Sequence, residues 1–146
     1  MDNKDTKLMG NITELEVLNY VTKLGYQVSL PFGDRARYDQ IWDIEGKLLK
    51  IQIKTAKLHD SGNYLIISCK SSNRKNGKCV NRRYTKDDID YLASFYNGVC
   101  YLIPVEQLPG RQKILRLNKS MNNQQTNITW AEDYKIEKII KEYILS

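Results

Sequence analysis

The chain has 146 residues, enough for one domain with a sizeable core. Its 23 Lys plus Arg against 17 Asp plus Glu leave a net charge of +6, a balance that suits a polyanionic partner such as nucleic acid. No stretch is long and apolar enough to span a bilayer and the first residues hold no run of signal-peptide length, so the expectation is a cytoplasmic protein with no membrane partner.

The first predicted element is an amphipathic helix over residues 11–24, with Val17, Leu18 and Val21 as its apolar stripe and Gly25 closing it. Glu14 lies three residues before Val17 and four before Leu18, so it falls on that stripe, whereas Glu16 shares its face with Asn19, Tyr20 and Lys23. A carboxylate on a core-facing stripe loses hydration unless it gains a partner such as a metal ion or a buried lysine. The plainer alternative is that Glu14 favours the positive end of the helix dipole.

Next comes a predicted β-hairpin over residues 38–55, with Glu45 and Gly46 as the centre of its turn. In that register opposed positions sum to 91, so Asp39 lies across from Gln52 and Lys54 is their diagonal neighbour. Side chains alternate, which puts Gln52 and Lys54 on one face while Ile51 and Ile53 point into a core. An acid, an amide and a lysine converge on one surface, the raw material of a metal-dependent nuclease. The competing reading is the ordinary wet face of a half-buried hairpin.

After a strand at Tyr64 to Cys69, the segment from Ser71 to Lys78 is polar and contains a glycine, which predicts an exposed loop. Between Ser61 and Lys86 there is no acidic residue, while Lys70, Arg74, Lys75, Lys78, Arg82, Arg83 and Lys86 give seven positive charges. Such a segment would neutralise backbone phosphates and position a duplex, and Arg35, Arg37 and Lys57 extend the surface. The alternative is a solvated charged loop.

Further along, Asp87 to Tyr96 has a helical look, with Asp88 near the helix start and Asp90 solvated or paired with a basic neighbour. Residues 99–105 predict a buried strand and residues 113–117 another. The Asn- and Gln-rich stretch 118–127 predicts a loop or weakly ordered linker. It leads to a helix over about residues 129–145, whose stripe of Ile136, Ile139, Ile140, Tyr143 and Ile144 would pack on the core or on a second subunit. Cys69, Cys79 and Cys100 are odd in number and form no Cys-x-x-Cys pair, which indicates neither a disulfide framework nor a zinc site. The lone His59 reads as a solvent-facing loop residue.

Together, Gly10-x3-Glu14, Gly25-Tyr26-x-Val28, Pro31-Phe32-Gly33, Tyr38-Asp39 and Ile51-Gln52-Ile53-Lys54-Thr55 resemble the PD-(D/E)xK nuclease superfamily. They are most similar to its branch of group I intron-associated homing endonucleases, in which the third motif is Gln-x-Lys. The downstream Tyr84-Thr85-x2-Asp88-x-Asp90-Tyr91 and Tyr101-Leu102-Ile103-Pro104-Val105 are also similar to that branch, so the resemblance spans roughly residues 10 to 108.

The resemblance implies an α/β fold with a restriction-endonuclease-like core, a mixed central β-sheet flanked by helices, in one nuclease domain over residues 1–146. It implies Mg²⁺ held by Asp39, by the side-chain oxygen of Gln52, by the backbone carbonyl of Ile53 and by Glu14 directly or through a water. Lys54 would orient or deprotonate the attacking water, or stabilise charge on the scissile phosphate. The expected activity is endonucleolytic hydrolysis of double-stranded DNA, with the chain as a homo-oligomer, dimer or tetramer, because two strands need two sites or sequential nicking. A Holliday-junction resolvase and a non-cleaving DNA-binding protein share these features and stand as alternatives.

Overall fold

The computed structural model describes residues 3–118 and 127–146, with residues 3, 4, 72–75, 79 and 80 described by backbone alone. Most of the predicted 118–127 linker therefore lies outside the described residues. Helix α1 runs Asn3–Lys23. It starts well before Asn11: the weakest helix former in that first stretch is Gly10, and its cost of about 1 kcal/mol is tolerated in a helix of this length. Its end follows the expectation. Gly25 takes φ +95°, its N–H donates to the Thr22 carbonyl at 3.0 Å and that of Tyr26 to Val21 at 3.4 Å, a Schellman closure.

Among the described residues ten strands follow: β1 Gln27–Ser29, β2 Gln40–Ile44, β3 Lys47–Ile53, β4 Ala56–Leu58, β5 Tyr64–Ser68, β6 Lys70–Lys75, β7 Lys78–Arg83, β8 Tyr91–Tyr96, β9 Val99–Pro104 and β10 Gln112–Arg116. The main sheet has the order β1-β2-β3-β8-β9 and is mixed: β3 and β8 are parallel, the other pairs antiparallel. A second, antiparallel sheet has the order β10-β5-β4, and β6 with β7 forms a two-stranded arm.

The predicted hairpin has the expected register over β2 and β3, since Gln40 pairs with Ile51 and Ile44 with Lys47. Glu45 and Gly46 take φ +52° and +90°, a two-residue turn of the primed class that matches strand twist. The Gly46 N–H donates to Asp43 Oδ1 at 2.8 Å and helps to fix it.

Two predicted elements are corrected. Residues 87–96 hold no helix: Asp87 lies in a turn and Tyr91–Tyr96 is strand β8, buried on both faces, so it shows neither the helical nor the two-residue period. The Ser71 to Lys78 segment is a hairpin and not a loop, turning at Asn76-Gly77 with φ +53° and +75°.

The C-terminal helix is real but interrupted. A 3₁₀ turn covers Ala131–Tyr134, Lys135 leaves helical geometry with ψ 137°, and α2, Ile136–Ile139, continues into a π-helical turn, Ile140–Ile144. Ile136, Ile139, Ile140 and Ile144 are buried with Val17, Val21, Trp42, Ile51 and Leu102, so this stripe packs on the chain's own sheet, while Tyr143 stays exposed. The Tyr20 hydroxyl donates to the Glu137 carboxylate and ties α1 to α2.

The core is divided by the main sheet. α1 and α2 cover one face; the second sheet covers the other through Leu65, Ile67, Leu92, Ile103 and Leu115. Among the described residues no helix is long and apolar enough to cross a membrane.

Candidate active site

Asp39 stands one residue before β2. Its backbone N–H donates at 2.8 Å to the carbonyl of Ile51, the residue already paired with Gln40, so the ladder slips by one residue here and Asp39 shares Ile51 with Gln40 instead of pairing with Gln52 as the register predicts. Its Oδ2 accepts the Ile53 N–H at 2.8 Å. In a strand the C=O and N–H of one residue point to the same edge, so the Ile53 carbonyl points to the same side as the bond to Asp39. Lys54, just past β3, is held by its N–H donating to the Ala93 carbonyl of β8 at 3.0 Å.

These strand positions open on one cavity of about 410 Å³, lined by Asp39, Gln52 and Lys54 together with the loop Asp34 to Arg37, Ser71 and Tyr84. Ile51 and Ile53, on the opposite face, are buried in the core as alternation predicts. Glu14 approaches from the other side. It lines an adjoining groove of about 250 Å³ with Leu30 and Gln40, and its carboxyl is hydrogen-bonded to that of Asp39. The helical stripe thus does carry this acid to the strand acid.

Burial first, and then the charge and hydrogen bond of Asp39, push the Glu14 carboxyl up from 4.5 to about 6. Asp39 is also raised, chiefly by burial, against the lowering pull of the Ile53 N–H, Glu14 and Lys54. Two facing carboxyls whose pKa values are both raised form an oxygen donor set lacking a cation's charge, and this chemistry fits a hard divalent ion. Among the described residues no three His, Cys, Asp or Glu side chains gather as a metal site. The third side-chain donor available here is the neutral amide of Gln52.

The raised Glu14 has a consequence for stability. Its folded-state pKa lies above the unfolded value, so its contribution is present below pH 4.5 and is lost as pH rises through about 6. Without metal, Glu14→Gln is therefore expected to melt above the wild type at pH values over 6, with the advantage shrinking in acid. Thermal unfolding in chelator across this window measures it; a lower midpoint for the variant at neutral pH would contradict the crowded-carboxyl geometry.

Burial lowers the Lys54 pKa, and Asp39 and Cys69 pull it back. Its Nζ donates to the Lys70 carbonyl at 3.2 Å and lies 5.9 Å from the centre of the Tyr84 ring. Burial and the Asp39 charge push the Tyr84 phenol up to about 12, so Tyr84 stays neutral against this lysine and hydrogen-bonds Ser71.

The predicted DNA-contact residues separate into groups. Arg35, Lys57, Lys78 and Arg83 are exposed. Arg82 makes a two-pronged contact with buried Asp88, at 2.9 and 2.7 Å, and Arg37 Nε lies 3.6 Å from Asp88 Oδ1 while its Nη1 donates to Ser71 Oγ at 3.0 Å. The side chains of Arg74 and Lys75 lie outside the described residues. Asp88 also accepts the Thr85 N–H at 3.0 Å. Burial alone would raise its pKa, yet the Arg82 fork and the Thr85 N–H, helped by the Arg37 charge, hold it below the usual carboxylate range. Asp90 is paired as expected, with Lys86 at 3.4 Å and the Lys50 N–H at 2.8 Å.

His59 stacks on Tyr64 with ring centres 4.3 Å apart and its Nδ1 is 3.0 Å from Ser61 Oγ, away from the cavity lining. Cys69 and Cys100 are free thiols in the core.

Several residues at the site escaped the sequence reading. Ser71 and Tyr84 enter because β6 and β7 pair, and the Asn76-Gly77 dipeptide was the signal. Gln40 is only 2 % exposed and shares a strand face with Trp42 and Ile44. The alternation that singled out Gln52 would have marked it as a polar group inside the core.

The sequence matches, over residues 4–137, the model of a family described as PD-(D/E)XK endonuclease. A solved bacterial homing endonuclease, I-Ssp6803I, is similar at a TM-score of 0.70 and 26 % identity, over 89 % of this chain and 88 % of that one. No curated protein sequence gives a match.

Proposed function

The chain belongs to the PD-(D/E)XK endonuclease family, and from that premise we propose that it is a Mg²⁺-dependent homing endonuclease that cuts double-stranded DNA at a defined sequence. The observation that carries this reading is the single cavity shared by Asp39, Gln52 and Lys54, with Glu14 set against Asp39. Residues 1–146 act in it as one nuclease domain, and the group I intron association rests on the Gln-x-Lys pattern at Gln52 and Lys54. The similarity to a bacterial homing endonuclease supports sequence-specific over structure-specific cutting.

Asp39, Glu14, the side-chain oxygen of Gln52 and the carbonyl of Ile53 would hold the ion. When bound, Mg²⁺ supplies positive charge to the oxygens of the phosphate under attack. Gln52 in place of a carboxylate leaves the site one negative charge poorer, which eases the approach of an anionic backbone. Lys54, partly desolvated and held by Lys70 and Tyr84, donates hydrogen bonds from Nζ to the attacking water or to the phosphate, where preorganised donors have their largest effect. Arg35, Lys57, Lys78 and Arg83 supply the exposed positive charge that positions the duplex. Cutting both strands recruits a second copy of the site, hence a homo-oligomer, dimer or tetramer.

The experiment is cleavage with Mg²⁺ of a randomised duplex library and of a four-way junction, with Lys54→Met alongside. Cuts at one recurring sequence are expected, falling by about 10²-fold or more in Lys54→Met, with DNA affinity retained. Junction cleavage alone would replace the homing reading with a resolvase, and DNA binding without any cut would replace it with a non-cleaving binder.

A further inference from the structure

Each of the three ionisable site residues has a sequence neighbour bonded to another part of the site. Thr13 precedes Glu14, Gln40 follows Asp39 and Thr55 follows Lys54. Gln40, 2 % exposed, donates from Nε2 to the Glu14 backbone carbonyl at 3.1 Å. Its Oε1 accepts the Trp42 Nε1–H at 2.9 Å. An indole nitrogen only donates, so buried Trp42 fixes which way the Gln40 amide points and aims its NH₂ at α1.

The second link runs between hydroxyls. Thr13, 3 % exposed, donates from Oγ1 to the Met9 carbonyl at 2.9 Å, and Thr13 and Thr55 Oγ1 are 3.0 Å apart. With the Thr13 proton committed to Met9, Thr55 is the donor. α1 is thus fastened to the start of β2 by the bond from Gln40 to the Glu14 carbonyl, and to the segment just after β3 by the bond from Thr55 to Thr13, the residue before Glu14.

Core packing alone fixes a helix's distance from a sheet but leaves sliding and rotation softer. Directional bonds at Glu14 itself and at the residue before it remove those freedoms, and Glu14 lies on the half-buried stripe where a small rotation would carry its carboxyl off Asp39. We propose that Gln40 and the Thr13–Thr55 hydroxyl pair are positioning residues that lock α1 in the rotation at which Glu14 meets Asp39, and so set the affinity of the site for a divalent cation. The inference rests on the metal-nuclease reading above. None of the three side chains touches the cation or the phosphate; they act through Glu14.

The test is direct Mn²⁺ binding to the full chain, followed by the paramagnetic signal of the free ion, with the thermal midpoint of the metal-free protein measured in parallel. Thr55 is exposed and Thr13 keeps its Met9 acceptor, so Thr55→Val is expected to fold and melt like the wild type. Its Mn²⁺ affinity is expected to fall by about tenfold, the usual cost of losing a group that orients a ligand. Thr55→Ser keeps the hydroxyl and restores the affinity. Gln40→Met, of similar length, is expected to weaken binding further; if it fails to fold, Thr55→Val decides alone. Wild-type affinity in Thr55→Val overturns the positioning role, and with it the inference. Absence of Mn²⁺ binding by the wild type overturns the metal reading and this inference together.

Discussion

Asp39→Asn is expected to leave the protein folded and to cut the single-turnover cleavage rate by about 10³-fold or more. The amide keeps an oxygen that accepts the Ile53 N–H, and the Asp39 backbone bond to Ile51 does not involve the side chain, so the end of the hairpin stays in place. What goes is the charge in the cavity that Asp39 shares with Gln52, where the second donor is already neutral. The variant leaves Glu14 as the one carboxylate of the proposed donor set. Glu14 also loses the neighbour whose charge and hydrogen bond raise it, so its carboxyl moves back toward the ordinary range, with burial still holding it up. The metal-free variant should accordingly be at least as stable as the wild type at neutral pH. Cleavage under single-turnover conditions, with thermal unfolding of the same preparations, separates the two effects. Wild-type cleavage by a folded Asp39→Asn protein would remove the assignment.

Asp88→Asn is expected to lower the melting midpoint by about 5 °C, without loss of DNA affinity. The carboxylate gathers Arg82 in two contacts, Arg37 at 3.6 Å and the Thr85 N–H at 3.0 Å, and it is only 6 % exposed. An amide can still accept from Thr85, but its NH₂ points a donor at a guanidinium. Both arginines reach water, with side chains 31 % and 39 % exposed, so the cost is well short of that of stranding a fully buried charge. The released guanidiniums become available to phosphates. DNA affinity is then expected to fall more steeply with salt, by about 0.9 log units per log unit of salt for each phosphate gained. Titrations at several salt concentrations measure that slope, and an unchanged slope with weaker binding would mean that Asp88 instead shapes the DNA surface through the β6–β7 arm.

Where a sequence signal was local and stereochemical, the structure follows it. A turn at Glu45-Gly46 dictates one register, and every pair from Gln40–Ile51 to Ile44–Lys47 obeys it; Gly25 ends α1 for a comparable reason. The same turn class also occurs at Asn76-Gly77 and Asn97-Gly98, and reading those two dipeptides as hairpin centres would have recovered both the arm and strand β8. Strand β8 was hidden by its burial on both faces, which erases the period that separates strand from helix. Site assembly was legible in part. Asp39, Gln52 and Lys54 belong to one hairpin, so their meeting is a matter of register, and Glu14 announced itself as a charge on an apolar stripe. The Asp88 node joins residues from three separate segments, at Arg37, Arg82 and Asp88, and periodicity within a segment holds no record of such contacts.

In the main sheet only β3 and β8 run parallel, and Lys54 hangs from that seam through its bond to Ala93. The hairpins on either side join strands adjacent in the chain, whereas the seam joins strands with β4 to β7 between them. Closing so long a loop is slow and costs entropy before any contact repays it. The lysine would thus be seated among the last events of folding, after Asp39 and Gln52 have already come together.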